Sequence, residues 1–406
     1  MSGRRALIIG GSVGGLFAAG LLRAAGWDVG VFERSAEDLA ERGAGIGTRD
    51  DLFRILRRIG IALDPSAGVR VKSRLCLDRD GAVSCERVVP ATNSAWDRIY
   101  RPLKDALPPR CYHAGMKFES FDETADGIVA VFAGGRREAG DILIGADGLS
   151  STLRRHLSPA AEPCYAGYVG WRGVIEESRL PPDIHAQLFE HFTFGLPDGE
   201  LFLCLPMPGR HADTSVGQRR FHWVWFRAVD FARELPALCT DATGHCHGTT
   251  IPAPLIRAAV IDEIKSHAAE ILAPQLARIV ALTAQPLLQP IYDLASASIG
   301  RGRTALLGDA AFVARPHVGT GVTKAALDAE CLADALAAEP DPVAAIASYD
   351  RERRAFGSAL VARSRELGAY LEARAQGAAS VQQEPATVLR EYGAAGTLAD
   401  QAYAAS

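Results

Sequence analysis

Residues 6–33 contain the feature that most restricts the fold of this chain. Residues 6–9 form a short, wholly apolar run, which is typical of a central strand of a parallel sheet. Residues 16–25 are rich in alanine and leucine and indicate a helix, and the apolar run 29–32 indicates a second strand that ends at Glu33. The turn between the first strand and the helix consists of Gly10, Gly11, Ser12, Val13, Gly14 and Gly15. This order predicts a βαβ unit.

The glycines of this turn have separate tasks in a nucleotide-binding βαβ unit. Gly10 permits the tight turn, and Gly15 lets the helix pack closely against the strand. The free N–H groups at the start of the helix then suit a pyrophosphate, and Glu33 is placed to accept hydrogen bonds from an adenosine ribose. Ser12 replaces the middle glycine of the common pattern, but it is small enough for a pyrophosphate to approach. The segment therefore predicts dinucleotide binding.

Two later segments repeat the order of apolar strand, glycine and acid. They cover residues 141–148 and 304–311, and their acids are Asp147 and Asp309. Either acid alone would be an ordinary helix cap. Because ligands of parallel sheets bind beyond the carboxyl ends of the strands, we expect both acids beside one ligand.

A long amphipathic helix is predicted over residues 322–337, after a loop that contains Pro316, Gly319 and Gly321. The glycines let backbone N–H groups at the start of the helix approach a ligand. The N-terminus of a helix is a suitable counter-dipole for a ligand edge that carries negative charge.

Composition and charge exclude several classes of protein. The chain has 406 residues, a net charge of −4 and 48% hydrophobic residues, as expected of a folded globular protein. We expect no nucleic-acid partner, because the chain has no basic excess, and no membrane partner, because no continuous apolar stretch is long enough to span one. Eight scattered cysteines indicate free thiols in a cytoplasmic protein. No metal is expected, because the cluster at residues 239–247 has no common zinc spacing.

These motifs together resemble those of the single-component FAD-dependent aromatic hydroxylases, the family typified by para-hydroxybenzoate hydroxylase. The resemblance extends from residue 5 to about residue 340. Segment 165–174, with its Tyr-Val-Gly-Trp-Arg sequence, is most similar to the hydroxylases of dihydroxypyridines. Two positions depart from the family pattern: His-Pro after Gly-Asp-Ala-Ala is replaced by Phe312-Val313, and the usual glutamine between the later glycines is Thr320.

The resemblance implies which residues bind FAD. Glu33 should contact the adenosine ribose, and Asp309 the ribityl chain. Gly45 should line the isoalloxazine ring, and NADH or NADPH should bind transiently near Asp147. The whole set is Gly10, Ser12, Val13, Gly14, Gly15, Glu33, Arg34, Gly45, Ile46, Arg101, Asp147, Gly148, Asp309, Pro316, Gly319, Thr320 and Gly321.

The resemblance also implies the chemistry. It predicts a monooxygenase that uses NAD(P)H and O2 to hydroxylate a small hydroxylated aromatic, such as a hydroxypyridine, through a flavin C4a-hydroperoxide. A homodimer is compatible with it. Two alternatives stay open: the same chemistry on a phenolic or polyketide-type aromatic, and a non-catalytic nucleotide-binding redox sensor on the same fold.

A base near pKa 7 suits the deprotonation of a ring hydroxyl, so histidines are the first catalytic candidates. His317 precedes the glycines of the flavin loop; the alternative is a hydrogen-bonded loop histidine. His222 lies on a predicted strand over residues 221–226, and Tyr168 lies in the segment that resembles the pyridine hydroxylases. The pocket is lined either by the even positions of that strand, with His222, or by the odd positions, with its two tryptophans. Arg172 would bind an acidic substrate group or pair with a carboxylate of the chain.

The predicted fold class is α/β, with a Rossmann-like FAD-binding domain interleaved with a mixed β-sheet substrate domain. The FAD-binding domain is predicted over residues 1–70, 98–163 and 285–375. The substrate domain is predicted over residues 71–97 and 164–284, and it includes a strand over residues 201–205. Residues 376–406 are expected to form a loosely ordered or partner-dependent tail.

Overall fold

The computed structural model describes residues 4–39, 45–47, 50–64, 68–377 and 382–393. Within these residues, one sheet is parallel except for an antiparallel edge strand, as the apolar strand pattern predicts. Its strands, in spatial order, are β16 (Gly300–Arg301), β17 (Thr304–Leu306), β10 (Ile142–Gly145), β1 (Arg5–Ile9), β2 (Asp28–Phe32) and β6 (Tyr112–His113).

The glycine-rich turn after β1 leads directly into helix α1 (Val13–Ala24). This helix begins earlier than predicted, because two of the glycines belong to its first turn. A Cβ atom at Gly15 would lie only 2.0 Å from the carbonyl oxygen of Gly10, and a Cβ atom at Gly10 would lie 2.3 Å from the carbonyl oxygen of Ala146. Only glycine permits this close packing of helix, turn and neighbouring strand.

A larger mixed sheet forms the second part of the described structure. Its antiparallel ladders are interrupted by one parallel pair, between β12 and β4. Its strands, in spatial order, are β18 (Phe312–Val313), β15 (Leu287–Ala295), β11 (Cys164–Glu176), β14 (Arg220–Ala228), β13 (Leu201–Met207), β12 (His191–Gly195), β4 (Val69–Leu77), β5 (Val83–Ala95) and β3 (Gly45–Gly47). A small antiparallel sheet lies apart, with strands β7 (Phe118–Glu123), β8 (Ile128–Phe132) and β9 (Arg137–Gly140).

The helices cover both sheets. Helix α9 (Gly321–Ala338) packs against α1, and α2 (Asp50–Arg58) and α3 (Trp96–Asp105) lie on the same side of the core. Helices α5 (Pro182–Leu188), α7 (Ala258–Ile271) and α8 (Pro274–Leu282) cover one face of the larger sheet, which we call the outer face. The other helices are α4 (Thr152–Leu157), α6 (Leu235–Leu238), α10 (Pro342–Ala375) and α11 (Pro385–Glu391).

The C-terminal segment differs from the loosely ordered tail that the sequence led us to expect. Residues 385–391 form α11, and Val388, Leu389 and Tyr392 are buried against the larger sheet and α10. Arg74 on β4 donates hydrogen bonds to the carbonyl oxygens of Leu389 and Tyr392 at 3.0 and 2.6 Å. The expectation of a loosely ordered tail was wrong for these residues. The average composition of the segment is rich in alanine and glutamine, but three large apolar side chains within it pack against the rest of the protein.

The predicted boundaries between the two domains stay a prediction, although the pairing of the strands bears on them. Strands β3, β15 and β18 belong to the larger sheet, although the sequence division assigns them to the FAD-binding part. The larger sheet therefore takes strands from two of the three segments that were assigned to the FAD-binding domain, residues 1–70 and 285–375.

Candidate active site

A cavity of about 450 Å³ lies at the carboxyl ends of β1, β2 and β10. This is the edge of a parallel sheet at which ligands bind. Sequence reasoning missed the apolar side chains of Trp96, Met116 and Phe118, which also line the cavity and suit the face of a purine ring. The predicted FAD-binding residues that line it are Gly10, Ser12, Glu33, Arg34, Asp147 and Gly148.

Asp147 has one acceptor in use and one free. Its Oδ2 accepts a hydrogen bond from the N–H of Thr152 at 2.7 Å, so the carboxylate anchors the start of α4. Its Oδ1 is buried and has no hydrogen-bond partner in the described part of the chain. A buried acceptor left in this state is costly, and hydroxyl groups of a bound dinucleotide would satisfy it.

Glu33, which was predicted to bind an adenosine ribose, is held in place by the glycine-rich turn. The side chain is buried at the end of β2, where Oε2 accepts from the N–H of Gly11 and Oε1 from the N–H of Ser35, both at 2.8 Å. A carboxylate has about four acceptor positions, so two oxygens with one bond each retain capacity for a ribose diol.

The start of helix α1 offers a ligand backbone N–H groups, not polar side chains. Val13, Gly14 and Gly15 are all buried, and a Cβ atom at Gly14 would lie 3.0 Å from Cδ1 of Leu307. The first N–H groups of a helix have no partner within it, and here they lie beside the cavity at Ser12. This arrangement fits an anionic pyrophosphate.

The loop before α9 has the form expected of a flavin contact. Gly319 has a φ of +62°, and Gly321, the first residue of α9, has open space at its Cβ position. The hydroxyl of Thr320 is buried without a partner among the described residues. Pro316 begins the 3-10 turn that leads into this loop. Open space, free helical N–H groups and an unused hydroxyl suit a polar ring edge.

Asp309 follows β17 in a short 3-10 turn, as the strand-end pattern predicts. Its side chain is 57% exposed, and Oδ1 lies 3.4 Å from Nζ of the buried Lys324. The carboxylate is therefore largely available to a polar ligand beyond the strand.

Two other predicted contacts differ in placement. Gly45 and Ile46 belong to β3, and a Cβ atom at Gly45 would lie 3.4 Å from the side chain of Met207 on β13. Arg101, in contrast, is exposed on α3 and does not line the cavity, whereas Trp96 of the same helix does. The structure thus places Gly45 in the larger sheet, whereas Arg101 lies outside the cavity.

The face of the larger sheet opposite the outer face, here called the inner face, connects these loops. Cross-strand pairs place Tyr168 and Phe226 at one end of it, where both contact the ring of His317. Met207 lies on the same face at the other end, beside Gly45. The middle of the inner face therefore lies between the segment at Gly45 and the loop at His317. The family resemblance assigns both of these segments to the flavin ring.

The strand register decides the alternative left open for β14. His222 lies opposite Leu205 and shares the inner face with Val224 and Phe226. Trp223 and Trp225 point to the outer face, where their indole N–H groups donate to Thr283 Oγ1 and Glu200 Oε2, and Trp223 packs beneath the helices. The even positions of this strand therefore lie on the inner face.

His222 is 6% exposed, and no described residue forms a hydrogen bond with its ring. Burial, together with the charges of Arg172 and Arg220, lowers the pKa of His222 to about 3. The imidazole is therefore neutral at pH 7 and has one nitrogen that can accept a proton.

His317 is enclosed more tightly than His222. Its Nε2 lies 2.7 Å from the hydroxyl of Tyr168, and burial beside Arg315 lowers its pKa to about 3. The ring of Tyr392 and the backbone of Gly368 close the remaining sides. Nε2 is thus hydrogen-bonded, as in the loop-histidine alternative, whereas Nδ1 is buried without a hydrogen-bond partner among the described residues.

The cluster at residues 239–247 forms a hydrogen-bonded loop. His247 Nε2 lies 2.8 Å from Asp241 Oδ2, and Asp241 Oδ1 accepts from the backbone of Thr243. Over the described ranges, no group of three or more histidine, cysteine, aspartate or glutamate side chains is arranged to hold a metal ion. No helix in those ranges combines the length and the apolar character that crossing a membrane requires.

The fold and the cavity fit an FAD-binding protein of the doubly wound type with a second, larger sheet. Two family models match, one described as FAD binding domain-like over residues 165–293 and one described as FAD binding domain over residues 265–364. The buried free acceptor of Asp147, the helix N-termini and the apolar cavity wall all fit this cofactor.

Known proteins are similar over almost the whole chain. The 2,6-dihydroxypyridine 3-monooxygenase of Paenarthrobacter nicotinovorans is 29% identical, with 91% of each chain covered. The 3-amino-4-hydroxybenzoate 2-monooxygenase PtnB3 of Streptomyces platensis is 30% identical, covering 90% of this chain and 87% of that one. The solved structure of 2,6-dihydroxypyridine-3-hydroxylase from Arthrobacter nicotinovorans superimposes with a TM-score of 0.87 at 28% identity, with 96% of each chain covered.

The chain belongs to the FAD-dependent aromatic hydroxylases, so it is a flavoprotein monooxygenase. The predicted fold class and resemblance are confirmed. The alternative of a non-catalytic nucleotide sensor is not retained.

Proposed function

We propose that this chain hydroxylates a small N-heteroaromatic ring that carries a hydroxyl group, such as a hydroxypyridine, with NADH or NADPH as the reductant. The observation that carries the proposal is His222, a neutral and buried imidazole on the inner face between the segments at Gly45 and His317. The full-length similarity to a dihydroxypyridine monooxygenase supports the choice of ring. A cytoplasmic location and a homodimer stay predictions.

The cofactor would be held by Glu33, Asp147, the start of α1 and the loop before α9. When bound, FAD supplies hydride acceptance from the nicotinamide and activation of O2. The residues of the chain exclude water and orient the ring. The inner face contributes Leu203, Leu205 and Val224 as apolar contacts beside His222. Apolar side chains beside the reacting ring exclude water, which would protect a reactive oxygen donor from hydrolysis.

His222 is the proposed general base. A free imidazole nitrogen would accept the proton of the ring hydroxyl and make the ring more electron-rich. The pKa of about 3 is low for this task, but the negative charge that develops on the ring oxygen as its proton leaves would raise it, because that charge opposes the effects of Arg172 and Arg220. His317 is proposed as a positioning residue, since Tyr168 occupies its Nε2.

The second candidate substrate is a phenolic acid. It is favoured by the 30% identity to a 3-amino-4-hydroxybenzoate 2-monooxygenase over 90% of this chain. Both candidates share an acidic hydroxyl on an electron-rich ring, so the same base serves either.

The test uses the purified holoenzyme. NADH and NADPH oxidation, O2 uptake and hydroxylated product are measured with hydroxypyridines and with phenolic acids, and we expect a hydroxypyridine to accelerate all three. His222→Gln should lower kcat, while the exposed His245→Gln serves as the matched control. Acceleration by a phenol but by no pyridine would select the second candidate, and no acceleration by any ring would reject the hydroxylase proposal.

A further inference from the structure

Arg172 on β11 is a half-buried arginine without a carboxylate partner among the described residues. Its Nε is buried without a hydrogen-bond partner there, and burial lowers its pKa to about 10. The buried arginines have partners: Arg315 pairs with Asp293 and Arg353 with Asp328, each at 2.7 Å, and Arg154 donates to three backbone carbonyl oxygens. A desolvated guanidinium without a counter-charge is costly. The sequence left two partners open for Arg172, an acidic group of the substrate or a carboxylate of the chain. The described structure contains no such carboxylate beside Arg172.

Arg172 lies on the inner face, in the part between the two flavin-ring segments. It is opposite Val224 and diagonal to His222, which lies opposite Val174. It is also on the same side of β11 as Tyr168, the residue that contacts the loop before α9. A ring substrate that reaches His222 therefore also lies within range of this guanidinium.

The other charges around Arg172 leave the site positive. Arg220 extends the same face, but its guanidinium donates to the carbonyl oxygens of Pro208 and Gly209. Glu176 is the nearest acid along β11, lies opposite Arg220 and is exposed at the strand end. No ion pair joins Glu176 to Arg172 in the part of the chain that the structure describes.

We propose that Arg172 binds an anionic oxygen of the ring substrate, so that the enzyme selects rings with an acidic substituent. The inference rests on the proposed function, because it deepens the substrate class of that same site. The anionic oxygen belongs to an ionised ring hydroxyl or to a ring carboxylate. Both groups present a negatively charged oxygen that accepts hydrogen bonds from a guanidinium. In either case the bound anion supplies the missing counter-charge of Arg172.

The experiment measures ring binding to the oxidised holoenzyme, without turnover, from the change in flavin absorbance. The probes are 2,6-dihydroxypyridine, its dimethyl ether, 2-hydroxypyridine and 6-hydroxynicotinate. Arg172→Met should raise the Kd of 2,6-dihydroxypyridine by about tenfold or more, with less than about a twofold change for the ether. Arg172→Lys should recover part of the loss. Arg179→Met, on an exposed arginine, is the control and should change neither.

The probe pair separates the two sources of the anion. If Arg172→Met loses affinity for 6-hydroxynicotinate but not for 2-hydroxypyridine, the anionic oxygen belongs to a carboxylate. If it loses affinity only for 2,6-dihydroxypyridine, the oxygen belongs to an ionised hydroxyl. Either result supports the proposal. Equal losses for acidic and ether probes, or no loss in Arg172→Met at unchanged FAD content, would overturn it. Because binding is read without turnover, wild-type enzyme that binds acidic rings but hydroxylates none would reject the proposed function alone.

Discussion

The hydroxyl of Tyr168 lies 2.7 Å from Nε2 of His317, and this contact joins the inner face of the larger sheet to the loop that precedes α9. Burial raises the pKa of Tyr168 and lowers that of His317, so a neutral phenol and a neutral imidazole share this hydrogen bond. The backbone carbonyl of His317 in turn accepts from the N–H of Gly393 at 2.8 Å. One histidine therefore connects the substrate sheet, the flavin loop and the C-terminal segment.

The first prediction concerns this contact. Tyr168→Phe removes one buried hydrogen bond and should lower the free energy of unfolding by about 1 kcal/mol. It should also weaken FAD binding, because the loop at residues 316–321 loses its link to the sheet. Tyr165→Phe is the matched control: it lies on the same strand, and its hydroxyl donates to the carbonyl oxygen of Val229 at 3.0 Å. FAD titration should separate the two variants, and equal FAD affinities would contradict the linking role.

The second prediction concerns Asp147. Asp147→Asn keeps the shape of the side chain but removes its charge, and it should weaken FAD binding by about 10-fold to 100-fold, the value of a hydrogen bond to a charged group. The exposed Asp126→Asn is the control. Thermal unfolding of the apoprotein measures the separate loss at the start of α4. If the FAD dissociation constant stays unchanged, the free Oδ1 does not serve the cofactor.

The third prediction concerns acid stability. The pKa values of His222 and His317 are about 3 in the folded protein, against about 6.5 for an ordinary histidine. Between these values the unfolded chain binds a proton that the folded chain does not, so the stability is complete above pH 6.5 and is lost as the pH falls towards 3. Each histidine contributes a slope of about 1.4 kcal/mol per pH unit in that window.

Denaturant unfolding at several pH values tests this sign. His317→Asn should reduce the slope between pH 6.5 and 4, although it also lowers the stability at neutral pH. The exposed His245→Asn should leave the slope as it is in the wild type. An unchanged slope in His317→Asn would mean that this histidine takes up a proton in the folded state.

The fourth prediction concerns the C-terminal segment. Arg74→Met removes the donors to the carbonyl oxygens of Leu389 and Tyr392 and should make the segment more accessible to proteolysis, with a loss of about 1–3 kcal/mol. Arg70→Met, on an exposed side chain of the same strand, is the control. The rate of C-terminal cleavage and the Tm measure the effect. Identical cleavage of the two variants would show that Arg74 does not hold the segment.

The features that could be predicted from the sequence are local ones. The turn at Gly10 and the acids Glu33 and Asp147 occupy the expected strand ends, because strand, turn and helix signals lie within a few residues of one another. The family resemblance carried the pattern as far as the loop at Gly319. Arg101 was matched only loosely, and the exposed face of a helix gives no local signal that separates a ligand contact from a solvated side chain.

The amino-acid sequence by itself determined the nucleotide-binding βαβ unit and the family, since glycine positions and apolar periods act over short range. Only the tertiary structure decided that His222 rather than Trp223 lies on the inner face, because one residue of register reverses the two faces of a strand. Likewise, only the tertiary structure decided that Arg172 has no carboxylate partner among the described residues and that Leu389 is buried. Both depend on which distant segments meet, and that follows from the packing of the whole chain.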